Sequence, residues 1–269
     1  MKKISLSLPS GEVLKYKEEG VGKTLILLHG LGVDSVIWER VVPLLQNDFR
    51  VLLVDLPGYG LNTNLWNGSF DVFSSFFNTL FSAERDASVV GYSFGGNMLL
   101  RYVQKKGVTL PRFIVFLSTP IRKGVVSLFV SFLSFLVSLS RAVSVRVVLF
   151  LLSTKVRYYL LKKTGLISIK DGPIIDFCVD SLMAFKNPSY LCKSLSFVFL
   201  PFVKKRVVGV GVVGIFGEKD GFVKEKRDGL LLTSSFSDCK TQTVLQTHHL
   251  SPLENPEGLV QKIKESLGV

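Results

Sequence analysis

A chain of 269 residues lies near the upper end of what one hydrophobic core supports, and 47% apolar residues are ample for a large parallel sheet, so one domain with an insert is expected. Cys178, Cys192 and Cys239 are odd in number and widely spaced, with no C-x-x-C pair and no nearby histidine, which excludes a zinc site and points to buried apolar cysteines in a reducing, cytoplasmic compartment. The formal charge of +12 is unevenly spread: residues 121–206 hold 14 basic and 3 acidic residues, or +11, leaving +1 for the rest. Those basic residues are interleaved with aliphatic runs, not gathered in a nucleic-acid motif, which disfavours nucleic acid as a partner.

In chain order, Ile4-Ser5-Leu6-Ser7-Leu8 stops at Pro9 and is too short for the apolar region of a signal peptide. Its alternation predicts a first strand. Short β-branched and aliphatic runs at 24–28, 50–54, 88–90, 113–117, 207–216 and 241–247 predict further strands. Helical patterns at 37–45, 70–82, 95–105 and 256–267 lie between or after them. The last has Leu259, Val260, Ile263 and Leu267 at the spacing of one buried helix face. Strands alternating with helices give an α/β class with a mostly parallel central sheet covered on both faces.

The alternation breaks at 119–206, a long, very apolar, largely helical stretch between two sheet strands. It is expected to form a helical lid inserted after the sixth strand, with the core built from 1–118 and 207–269. Residues 124–140 carry no charge, yet these 17 residues fall short of the roughly 20 that cross a bilayer. On a helix, Ser127, Ser131, Ser134 and Ser138 would align in one polar stripe, fitting either a lid helix over the site or an interfacial helix touching lipid.

Val90-Gly91-Tyr92-Ser93-Phe94-Gly95 follows a predicted strand and leads into a predicted helix, the context a G-x-S-x-G elbow requires. Glycines at 91 and 95 let strand and helix approach closely, leaving the Ser93 hydroxyl exposed on a strained turn. Taken alone, the pentapeptide is only moderately specific, since a serine in a glycine turn can otherwise be just a helix cap. A serine hydroxyl is a weak nucleophile, so it needs a base within reach and a group that orients the base. His248 and His249 follow the last predicted strand, where the chain order serine, acid, histidine puts the base. His249 is chosen for its spacing to Pro256 and the final helix, with His248 as a neighbour. The acid is Asp220, a short turn after a strand end and before Gly221, with Glu218 as the competing carboxylate. His29-Gly30-Leu31-Gly32 ends an early strand, and the amides of Leu31 and Phe94 are the natural pair of donors for a developing oxyanion. No cofactor and no metal are expected.

With these residues in place, the chain resembles the α/β-hydrolase superfamily from about residue 24 to the C-terminus, except in the insert. More narrowly, it is similar to the pimeloyl-acyl carrier protein methyl ester esterases of biotin synthesis. The similarity lies in His29-Gly30-Leu31-Gly32 followed by Trp38, in Asp55-Leu56-Pro57-Gly58-Tyr59-Gly60, in Ser118-Thr119-Pro120 and in Gly217-Glu218-Lys219-Asp220-Gly221-Phe222-Val223. It departs from that family at Tyr92, where tryptophan is usual, at Leu31, and at Leu61-Asn62-Thr63-Asn64. The resemblance implies Ser93, Asp220 and His249 as a catalytic triad, Leu31 and Phe94 as oxyanion donors, and hydrolysis of a carboxylic ester through an acyl-enzyme.

The specific expectation is a methyl ester esterase on an acyl carrier protein-bound substrate. The alternatives are a thioesterase, a lipid or small-ester esterase with an interfacial lid, and a carbon–carbon bond hydrolase. Ser93 at the elbow disfavours a dehalogenase or epoxide hydrolase, and the complete set of catalytic residues disfavours a binding protein without activity. The basic insert, including Lys162, Lys163, Lys204 and Lys205, suits an acidic acyl carrier protein, or contact with an anionic membrane surface.

Overall fold

In the computed structural model of the chain, residues 1–67, 69–121, 194 and 206–269 are described. They form one eight-stranded sheet: β1 (Lys2–Ser7), β2 (Val13–Glu19), β3 (Lys23–Leu28), β4 (Phe49–Val54), β5 (Ser88–Tyr92), β6 (Phe113–Leu117), β7 (Gly211–Gly217) and β8 (Cys239–Val244). Their order across the sheet is β1-β2-β4-β3-β5-β6-β7-β8. Strands β4 through β8 in that order are parallel, whereas β1 pairs antiparallel with β2 and β2 antiparallel with β4.

The parallel strands are apolar at consecutive positions because both faces are covered. Alternate residues enter different cores. Ile26, Leu28, Leu52, Val54, Val89 and Phe116 join one cluster, and Leu25, Leu27, Val51, Leu53, Val90 and Leu117 join the other. On the first face lie α2 (Phe70–Ala83) and α3 (Phe94–Val103), which contribute Phe73, Phe77 and Met98. On the second lie α1 (Val42–Leu45) and α6 (Pro256–Leu267), which contribute Val42, Leu45, Leu259 and Ile263. The remaining short helices are α4 (Leu230–Thr233) and α5 (Ser251–Glu254).

Several expected boundaries move for local reasons. The helix expected at 37–45 divides into a 3-10 turn, Ser35–Trp38, and the short α1, where Pro43 sits at the helix start. The strand expected at 207–216 shortens to Gly211–Gly217, with Val207 making only an isolated bridge to Phe236. The strand expected at 241–247 ends at Val244, because the backbone turns through Gln246 at a φ of 60°. Strand β2 was not expected from the sequence: its run of charge leaves only Leu14 and Tyr16 fully buried.

Cys239 corrects the expectation of buried cysteines, being only partly buried on the outermost strand. Its surroundings and the neighbouring Asp238 still push the thiol up to about 12. Cys178, Cys192, Lys162, Lys163, Lys204, Lys205, the serine stripe and, apart from 119–121, 194 and 206, the whole insert expected at 119–206 lie outside the described residues. Among the described residues, no helix is long and apolar enough to cross a membrane.

Candidate active site

Strand β5 delivers Ser93 at its carboxyl end, and α3 starts at the next residue. Ser93 has φ 49° and ψ −110°, a conformation that a side chain rarely adopts and that the surroundings must impose. Two hydrogen bonds impose it: Ser93 N donates to Leu117 O on β6 at 2.8 Å, and Gly95 N donates to His29 O at 3.1 Å. The glycines are needed for contact. A Cβ at Gly91 would stand 2.7 Å from the Gly96 Cα, and one at Gly95 would stand 2.5 Å from His29 O. Ser93 sits at the carboxyl end of β5, a residue only 8% exposed.

His249 follows β8 and lies almost wholly buried. Its Nε2 is 2.9 Å from Ser93 Oγ, and its Nδ1 is 2.8 Å from Asp220 Oδ2. An ionised carboxylate can only accept, so Nδ1 carries the proton and donates to Asp220, leaving Nε2 to accept from the serine hydroxyl. Asp220 is fully buried in the turn after β7, and its other oxygen accepts from Phe222 N at 2.8 Å and Val223 N at 2.9 Å. Burial pushes this carboxyl upward, but the hydrogen bond and charge of His249 and the two amides outweigh it. Asp220 is held below the usual carboxylate range.

The imidazole is also held by packing. Tyr92 donates its hydroxyl to His249 O at 3.0 Å, with ring centroids 5.6 Å apart. Phe222 meets the imidazole edge to face at 5.4 Å. The two competing residues point elsewhere. His248 directs its amide to Glu254 Oε2 at 2.5 Å, with its Nδ1 3.8 Å from Glu254 Oε1. Glu218 is exposed and accepts from Gln246 N at 2.8 Å.

The turn after β3 borders the same site. His29 is completely buried. Its Nε2 accepts from Leu56 N at 2.9 Å, so Nδ1 carries the proton and donates to Gly30 O at 2.8 Å. Burial lowers its pKa and keeps it neutral, and with both nitrogens engaged it holds the turn that leads into Leu31. Among the described residues, the amides of Ser93 and Gly95 have backbone acceptors while those of Leu31 and Phe94 have none. Phe94 N also lies at the first turn of α3, where free amides and the helix dipole favour negative charge.

The next loop is fixed by Asp55, which accepts from Ser35 N at 2.8 Å and Leu61 N at 2.9 Å. It carries Tyr59, whose ring centroid lies 4.8 Å from that of His29 and 6.1 Å from that of Phe94, and whose hydroxyl donates to Ser194 at 3.1 Å. The structure thus brings Ser93, His249, Asp220 and the Phe94 amide together at the carboxyl ends of β5, β7 and β8, beside the Leu31 turn. Sequence reasoning gave no role to His29 as a turn anchor, nor to Tyr92 and Phe222 as the residues flanking the imidazole. The signal lay in the motifs themselves, since Phe222 belongs to the Asp220 segment and Tyr92 to the elbow. Among the described residues no cluster of His, Cys, Asp or Glu could hold a metal ion.

Comparison with known proteins adds to this geometry. The family model described as the alpha/beta hydrolase fold matches residues 23–133. Over 83 residues the chain is 39% identical to the pimeloyl-acyl-carrier protein methyl ester esterase of Vibrio vulnificus, a stretch that is 31% of this chain and 32% of that relative. The chain therefore matches about a third of the length of that curated relative. Among solved structures, a hydrolase from Pseudomonas aeruginosa superposes with a TM-score of 0.80 at 20% identity, covering 99% of this chain and 98% of that one. A bromoperoxidase from Bacillus anthracis superposes with a TM-score of 0.76 at 16% identity, covering 100% of both. Sheet order, elbow and these likenesses together establish that the chain has the α/β-hydrolase fold.

Proposed function

We propose that the chain is a serine carboxylic ester hydrolase. The observation that carries this reading is the hydrogen-bonded run from Ser93 Oγ through His249 to Asp220, at 2.9 and 2.8 Å, on a backbone held at φ 49°. Ser93 Oγ attacks the ester carbonyl carbon while His249 Nε2 takes its proton, and Asp220 stabilises the imidazolium that forms. The negative charge passes to the carbonyl oxygen, where the amides of Leu31 and Phe94 are the donors. His249 then protonates the leaving alcohol as the C–O bond breaks, leaving an acyl group on Ser93. A water, deprotonated by the same nitrogen, attacks that acyl carbon, and the acid leaves with Ser93 restored.

The substrate is a methyl ester carried on an acyl carrier protein. The similarity to a relative of that name supports this, as does the +11 charge of residues 121–206. In this reading 119–206 is a lid over the site, and Lys162, Lys163, Lys204 and Lys205 belong to a basic rim that attracts an acidic carrier. Attraction of this kind acts on the association rate and weakens as salt shortens the screening length from about 10 Å at 0.1 M to about 3 Å at 1 M.

The test compares kcat/KM for a carrier-bound methyl ester with that for a small neutral p-nitrophenyl ester across this salt range. The carrier-bound substrate should lose about ten-fold or more, and the neutral ester should change less than two-fold. Replacing Lys204 and Lys205 by Glu should lower only the first. Equal responses would remove the carrier reading, and absence of hydrolysis of either ester would remove the esterase reading. Binding to anionic liposomes with equal ester responses would instead favour a lid that meets lipid.

A further inference from the structure

The segment after Asp220 closes on itself through a second buried carboxylate. Asp228 is fully buried in the π-turn Glu225–Gly229. Its Oδ1 accepts from Ile121 N at 3.0 Å, and its Oδ2 accepts from Lys224 N at 2.8 Å and from Arg227 Nη2 at 2.6 Å and Nε at 3.1 Å. The Arg227 Nη2 also donates to Phe222 O at 3.0 Å. One guanidinium therefore joins a fixed buried anion to the backbone carbonyl of Phe222.

Phe222 is the residue through which this bridge reaches the site. Its amide donates to Asp220 Oδ1, and its ring lies nearly perpendicular to that of His249 with centroids 5.4 Å apart. A shift of Phe222 would move a donor of Asp220 and a wall of the imidazole together. Arg227 touches neither Ser93 nor His249, and its side chain is 51% exposed, so removing it opens no core. Asp228 would keep the amides of Ile121 and Lys224 as partners.

We infer that Arg227 is a positioning residue for ester hydrolysis, which, braced by Asp228, holds Phe222 and so keeps Asp220 and His249 in line with Ser93. The inference rests on the reading of Ser93, His249 and Asp220 as the catalytic groups. Planarity is what the role requires: a guanidinium spans two acceptors at once, whereas an ammonium on a flexible stem offers one point of charge. Misplacement of catalytic groups by about 1 Å can cost about a hundred-fold in rate, and loss of an interaction made only in the transition state lowers kcat and leaves KM little changed.

The test measures kcat and KM on a small neutral p-nitrophenyl ester for the wild type, Arg227→Ala, Arg227→Lys, Asp220→Asn and the double variant Arg227→Ala/Asp220→Asn. Arg227→Ala should lower kcat about ten-fold with KM within two-fold, and Arg227→Lys should recover part of that loss. In the Asp220→Asn background, Arg227→Ala should cost less than two-fold, because the group it positions is already impaired. A general loosening of the fold would instead reduce activity by the same factor in both backgrounds, and that result would overturn the inference. So would unchanged kcat in Arg227→Ala alongside a large loss in Asp220→Asn. Unchanged kcat in Asp220→Asn itself would overturn the catalytic reading beneath it, which separates the two failures.

Discussion

His248 and His249 are adjacent in sequence, and the chain alone offers only spacing to choose between them. The structure divides them by partner. His249 lies between Ser93 and Asp220, whereas His248 faces the buried carboxylate of Glu254. His249→Ala should therefore lower kcat/KM for an ester by several orders of magnitude, as deletion of a base does, and His248→Ala should leave it within about ten-fold. Steady-state kinetics on both variants checks this, and comparable losses would contradict it. The residues hardest to read from the sequence act through backbone contacts. A buried histidine such as His29 and a buried aspartate such as Asp228 give no periodic signal, and their roles depend on amides brought close only by folding.

At the scale of elements, the parallel strands were legible because both faces are buried and the sequence runs apolar at successive positions. The elbow was legible because its glycines answer a steric need that any such turn has. Strand β2 was not, since its lysines and glutamates obscure the alternation of Leu14 and Tyr16. Its charge has a structural use. Arg50 on β4 donates to Glu18 on β2 at 2.6 Å and to Glu84 at the end of α2 at 2.8 Å, and Tyr16 donates to Glu84 at 3.0 Å. Arg50→Ala would leave two partly buried carboxylates, Glu18 and Glu84, without their shared cation. After allowance for solvent screening of side chains that are 13–30% exposed, the loss should be about 1–2 kcal/mol. Urea unfolding should show a lower midpoint with an unchanged slope, and a shift below about 0.3 kcal/mol would contradict a role for the cluster.

At the scale of the molecule, the carboxyl ends of the parallel strands form one edge, and every group in the proposed chemistry stands on a loop or helix start that leaves it. That follows from topology, because β5, β6, β7 and β8 run side by side in the same direction. The same sheet also underlies a bromoperoxidase in Bacillus anthracis, so the chemistry assigned to this chain rests on the Ser93, His249 and Asp220 geometry and not on the fold. In the proposed reading, the charge of residues 121–206 bears on which ester is used, not on how it is cleaved. What tests the cleavage most directly is exposure of the folded protein to a fluorophosphonate, followed by intact-mass measurement and peptide mapping. One adduct on Ser93, absent from Ser93→Ala and strongly slowed in His249→Ala, is the expected result. An adduct on another residue, or an unmodified protein that remains folded, would contradict Ser93 as the nucleophile.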